Sequence, residues 1–243
     1  MAKSISRMQP RFDRIGRVGA LGTGFVSAVL MVSACSIATD SGQAGTDTGQ
    51  VSGSGKRATE TRQVTGFSRV ELVYAGDVSI QQGKTDSLTI EANEKVLPAL
   101  TSDVVDGTLR LGHKPGTPVD LNDPVRYEVT LTNLTGLDLS GAGRITGDGL
   151  QVDSLDVDVK GAGVVDLSGS VDRQDVRLSG AGSYQAGDLL SQVANAELSG
   201  TGQMVLAVDR QLTVKISGAG TVSYSGDASV DKSITGIGQL IKR

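Results

Sequence analysis

Few residues in this chain have the chemistry of a reaction centre. It carries one histidine, His113, and one cysteine, Cys35, against 27 Asp and Glu in 243 residues. A Ser-His-Asp triad, a histidine-ligated metal and a Cys-rich zinc or iron–sulfur site are therefore not expected. His113 lies in Gly112-His113-Lys114-Pro115-Gly116, which reads as an exposed loop with no second His or Cys beside it. Carboxylates are the remaining resource. Asp156, Asp158 and Asp166 with Lys160 could form the acid/base set of a polysaccharide-cleaving enzyme, which needs paired carboxylates, or a base beside calcium, in one groove. Asp138 and Asp158 could share a calcium ion; a solvated, mildly repulsive pair is the simpler expectation. In so acidic a chain some carboxylates fall near one another without purpose, and no Gly-Gly-x-Gly-x-Asp calcium motif occurs. The reading is no catalytic residue, no metal and no cofactor.

Cys35 has a different use. Residues 1–17 hold Lys3, Arg7, Arg11, Arg14 and Arg17 against Asp13, and an apolar stretch from Val18 to Val32 follows. A basic region, an apolar region and a small-residue end mark a secretory signal, and this stretch is too short and Gly-rich for a secure membrane span. Val32-Ser33-Ala34-Cys35 resembles the lipobox of bacterial lipoproteins, in which the cysteine is acylated and becomes the first mature residue. Residues 1–34 are thus expected to be a lipoprotein signal peptide and Cys35 the lipidation site. The protein would be exported and anchored to the cell membrane or outer membrane, facing the periplasm or the exterior. Several acyl chains hold a protein on a bilayer far more firmly than one. Loss of five basic residues and one acidic residue with the signal would lower the net charge from -4 to -8. Anionic headgroups would repel that surface, and nucleic acid is not an expected partner. Residues 35–61, rich in Ser, Gly, Thr and Gln, read as the lipidated cysteine and a flexible tether with an r.m.s. reach of roughly 25–30 Å.

Any functional group beyond the tether must be positioned by a repeat. Ser140-Gly141-Ala142-Gly143 recurs as Lys160-Gly161-Ala162-Gly163, Ser179-Gly180-Ala181-Gly182 and Ser199-Gly200-Thr201-Gly202. Ser217-Gly218-Ala219-Gly220 and Thr235-Gly236-Ile237-Gly238 follow, so the first glycines are 20, 19, 20, 18 and 18 residues apart. Five copies follow an apolar pair: Leu137/Leu139, Val157/Val159, Val176/Leu178, Ala196/Leu198 and Val214/Ile216; the last keeps only Ile234. Such period-two alternation marks strands, and no helical spacing occurs. A period of 18–20 residues suits one coil of a β-solenoid, with successive coils stacked at ~4.8 Å. The chain is therefore expected to be all-β, a parallel β-solenoid over residues 62–243. Its twelve repeat glycines would sit at corners where φ is positive or backbones approach closely. The residues between the apolar positions, Asp138, Asp158, Arg177, Glu197, Lys215 and Ser233, should form one exposed column, alternating in charge from Asp158 onward.

Residues 62–131 read as looser coils of the same kind, from Phe67, Val70, Leu72, Val78 and Ile80 through Leu88, Ile90, Val104, Val105, Leu109 and Leu111. Gly66-Phe67-Ser68-Arg69-Val70, Gly76-Asp77-Val78-Ser79-Ile80, the Asp106-Gly107-Thr108-Leu109 turn and the serial Ser-Gly-Ala-Gly copies resemble the auto-transporter adhesin head GIN domain over about residues 64–243. The resemblance implies a right-handed parallel β-helix on exported, often lipidated bacterial proteins, and it brings no catalytic residues. The leading expectation is a non-enzymatic, adhesin-like module of the cell envelope with an unidentified protein or glycan ligand. A signalling or envelope-stress accessory that binds a protein partner is the alternative, and a polysaccharide-active β-helix enzyme the lesser one. Lys242 and Arg243, after Leu240-Ile241, are expected to blunt the last edge, which leaves side-by-side or capped homo-oligomers open but not fibres.

Overall fold

A computed structural model describes residues 55–117 and 124–243. Cys35, the expected signal segment and residues 35–54 of the expected tether lie outside the described residues. In chain order the strands are β1 (Arg57–Arg62), β2 (Arg69–Leu72), β3 (Ala75–Gln82), β4 (Ser87–Asn93), β5 (Leu100–Val105), β6 (Thr108–His113), β7 (Arg126–Leu131) and β8 (Gly136–Leu139). Four long strands follow: β9 (Ala142–Val159), β10 (Val164–Leu178), β11 (Ser183–Leu198) and β12 (Gln203–Ile216). The chain closes with β13 (Thr221–Ser225), β14 (Ser229–Ile234) and β15 (Gln239–Lys242). From β8 onward every pairing is parallel.

Alternation in the sequence becomes inward and outward columns in the stack. One inward column runs Leu109, Val70, Leu137, Val157, Val176, Ala196, Val214, each at most 3 % exposed. Burying each Val or Leu side chain of this column contributes about 1.5–3 kcal/mol. A second runs Val78, Ile145, Val165, Tyr184, Met204, Val222, all buried. Where a polar group enters the core it is satisfied in series. Tyr184 Oη donates to Gln174 Oε1, Gln174 Nε2 to Ser191 Oγ, and Ser191 Oγ to the Ala207 carbonyl, each at 2.8 Å. Burial pushes the Tyr184 phenol pKa well above its ordinary value, so it stays a neutral donor.

Spatial order departs from the expected serial coils in residues 62–131. β2 lies between β6 and β8, and β3 between β7 and β9. After the first coil the chain reverses into β4, antiparallel to both β7 and β1, and β5 pairs antiparallel with β6. The β5–β6 reversal turns on Asp106 and Gly107, with φ of 49° and 73°, the positive pair that a tight Asp-Gly hairpin needs. These antiparallel strands cap one end of the stack.

Arg57–Thr61, expected to belong to the tether, lie in β1. That strand shows no apolar alternation, being an edge strand held by backbone pairing and by its ends. Arg57 Nε donates to Glu91 Oε1 at 2.7 Å, and the Arg62 guanidinium donates to the Leu97 and Leu100 carbonyls at 3.1 and 3.0 Å.

Of the twelve repeat glycines only Gly143 has a positive φ, 141°. Close approach accounts for the set. At Gly141, Gly143, Gly161, Gly163, Gly180, Gly182, Gly200, Gly202, Gly218, Gly220, Gly236 and Gly238 a Cβ would lie within 2.7 Å of a backbone carbonyl oxygen of the adjacent coil. Real Cβ atoms do not come that close, and both backbones are held by the ladder. The corners are therefore a column of glycines stacked on glycines.

Candidate binding site

The acid/base set considered from sequence is not assembled. Asp156 and Asp158 lie on the second half of β9, whereas Asp166 lies beyond the glycine corner on the first half of β10, 3.9 Å from Arg144. Asp156 accepts from Arg69 Nη1 at 3.2 Å and from Arg177 Nη1 at 3.0 Å, and Lys160 Nζ is 2.8 Å from Asp158. Hydrogen bonding to Asp158 pushes the Lys160 pKa up, and hydrogen bonding to Asp138 does the same for Arg69. Both cations hold their charge, and the carboxylates are spent on ion pairs.

The expected outward column is present in register and extends further, as Arg110, Glu71, Asp138, Asp158, Arg177, Glu197, Lys215, Ser233. Contacts within it are partly diagonal: Arg177 reaches Asp156 in the neighbouring column rather than Asp158 or Glu197. The Asp138/Asp158 pair is neither a bare repulsive pair nor a calcium cradle. Arg69 grips Asp138 through Nε–Oδ2 and through Nη2–Oδ1 at 3.0 Å, while Lys160 neutralises Asp158. Arg69 reaches across because its register partner is Gly136, where a Cβ would lie 2.7 Å from the guanidinium carbon. Among the described residues no group of three or more His, Cys, Asp or Glu is placed to hold a metal ion. Setting Val70/Leu72 against Leu137/Leu139 in the sequence would have revealed Arg69 as the bridging cation.

A different place gathers aromatic, apolar and polar groups in one concavity. Ala75 and Gly76 pair with Ala142 and Gly143, so Tyr74 occupies the corner position that later coils give to glycine. A side chain fits there because the glycine column ends at this coil. The Tyr74 and His113 rings meet edge to face with centroids 4.1 Å apart. His113 is not a loop residue; it ends β6 and is half-buried. Its Nδ1 lies 2.9 Å from the Lys114 carbonyl, an oxygen that can only accept. Around this pair a pocket of about 460 Å³ is lined by Val73, Val105 and Pro115 as apolar wall and by Thr101, Asp103 and Arg110 as polar groups. Val73, Tyr74 and Val105 are 41, 37 and 47 % exposed. An apolar concavity with a few convergent polar groups is the ordinary form of a ligand site. Sequence reading passed over it because Tyr74, Thr101 and His113 come from three separate segments.

On the flank of the stack a smaller trough of about 130 Å³ is lined by Asp175, Asn195, Thr213, Arg177, Glu197 and Lys215. Burial opposes ionisation of Asp175. Hydrogen bonds from Asn195 and Arg173 outweigh it and hold the carboxyl below its ordinary range. Charged and amide groups line this trough, whereas the Tyr74–His113 pocket presents apolar and aromatic surface to solvent.

Similar proteins give the same architecture. A putative adhesin from Bacteroides fragilis superposes with a TM-score of 0.68 at 20 % identity, over 79 % of this chain and 100 % of that one. A putative lipid binding protein from Parabacteroides distasonis superposes with a TM-score of 0.51 at 21 % identity, over 80 % of this chain and 99 % of that one. No curated protein matches the sequence. The profile of the family described as "Putative auto-transporter adhesin, head GIN domain" matches residues 66–228, and the chain belongs to that family.

Proposed function

We propose that the protein is an exported, lipid-anchored binding module of the cell envelope, without enzymatic activity, that takes its ligand at the Tyr74–His113 pocket. One observation carries this reading. Asp156, Asp158 and Asp166, the carboxylates weighed for acid/base work, are engaged in ion pairs, while Tyr74, Val73 and Val105 expose aromatic and apolar surface in one concave site. A stiff stack with such a pocket suits recognition, since a pre-formed site loses little freedom on binding. Family membership agrees with a binding role. Among the described residues no helix is long and apolar enough to cross a membrane; the lipobox-like Val32-Ser33-Ala34-Cys35 is what supports attachment by acylation of Cys35.

Metabolic labelling with palmitate, followed by mass spectrometry of the membrane-extracted protein, tests the anchor. Wild type should incorporate label and begin at Cys35, and Cys35→Ala should stay unlabelled and leave the membrane fraction. An unlabelled wild-type protein, or a mature terminus elsewhere, would overturn the anchor.

A further inference from the structure

The two ends of the stack are finished differently. At one end β1, β4 and β5 run antiparallel, and Leu97, Ala99 and Leu100 join the core there. At the other end β14 pairs only with β12, and β15 only with β13. Each therefore turns one row of N–H and C=O groups outward, a template on which another strand can pair. Apolar side chains accompany that edge: Ile234, Ile237 and Ile241 are 40, 85 and 43 % exposed. Such an end should recruit a second copy of this chain.

The register shows what opposes this. The inward column that runs through Val176, Ala196 and Val214 continues to Lys232, and the column through Leu206 and Tyr224 continues to Lys242. Both lysines thus stand at core-facing positions of the last coil, and the Lys242 ammonium leans to the rim, 3.7 Å from Asp227. Two copies meeting end to end about a two-fold axis would lay β14 antiparallel to its mate. In the register centred on Lys232, Val230, Lys232 and Ile234 of one copy would face Ile234, Lys232 and Val230 of the other. Two ammonium groups would then be brought together away from water with no carboxylate between them, which is strongly unfavourable. We infer that Lys232 and Lys242 form a terminator that keeps a second copy off this exposed edge. The stop lies in two lysines at core-facing register positions of β14 and β15.

Sedimentation of the full chain in neutral detergent tests this. Lys232→Val with Lys242→Val should double the protein mass of the particle and tighten self-association about tenfold or more over wild type. Adding Ile234→Lys to that double variant should restore the wild-type mass and so locate the contact. Lys232→Gln with Lys242→Gln, which keeps the edge polar but uncharged, should shift toward the dimer, and thermal melting checks that each variant is folded. A folded double valine variant with the wild-type mass would overturn the inference, as would a dimer that survives Ile234→Lys.

Discussion

Gly180→Val is expected to destabilise the protein by about 3 kcal/mol or more, about 10 °C in Tm for a folded unit of this size. Gly180 stacks on Gly161, and a Cβ there would lie well under 3 Å from the carbonyl oxygens of Gly161 and Lys160. Neither coil can yield, because Ser179 N–H donates to the Val159 carbonyl at 3.0 Å and Ser199 N–H to the Leu178 carbonyl at 3.0 Å. Gly180 does not have a positive φ, so the whole effect is steric. Gly149→Ala is the control. Gly149 has a φ of 64° and nothing within 4 Å of a Cβ, so that change should cost only about 1 kcal/mol through backbone strain. Thermal melts of the two variants separate the causes. Equal losses would mean that conformation and not close stacking keeps glycine in the corners.

Arg69→Ala should cost about 1–3 kcal/mol and make the protein responsive to calcium. The guanidinium joins Asp138 and Asp156, and Glu71 and Asp158 flank Asp138 in its column. Its removal leaves four carboxylates on adjacent strands with less positive charge among them. Breaking a well-buried pair costs about 3–5 kcal/mol; these side chains are 28, 16 and 39 % exposed, so solvent screening brings the figure down. A divalent cation can substitute for the lost charge, so millimolar calcium should recover part of the lost Tm in the variant, and a chelator should leave wild type unchanged. A wild-type protein that melts earlier in chelator would show that an ion, not Arg69, neutralises this face.

Regular coils were legible because each residue in them has the same job six times over. Leu137/Leu139 and their successors read as strands, and the column from Asp138 to Ser233 appears in the order that the repeat implied. The cap was not legible. β1 carries no alternation because its faces are largely exposed, and the insertion of β2–β3 between later strands follows from chain reversals that a parallel repeat does not announce. Glycine spacing was plain, but only the stacked geometry distinguishes close approach from positive φ. The pocket was hidden for a similar reason. Tyr74 breaks the glycine pattern at a corner, and its meaning depends on His113, which reaches it through β6.

Ligand binding at the Tyr74–His113 pocket, without turnover, is the role proposed for this protein. Binding of the labelled protein to an array of envelope and host glycans, and to whole cells, tests it most directly. Wild type should be retained on at least one of these surfaces. Tyr74→Ala should weaken retention about tenfold or more, the usual weight of an aromatic contact at the centre of a site. Tyr224→Ala, on the far part of the stack, should leave retention unchanged. Equal binding by wild type and Tyr74→Ala, or turnover of a bound polysaccharide, would contradict the account.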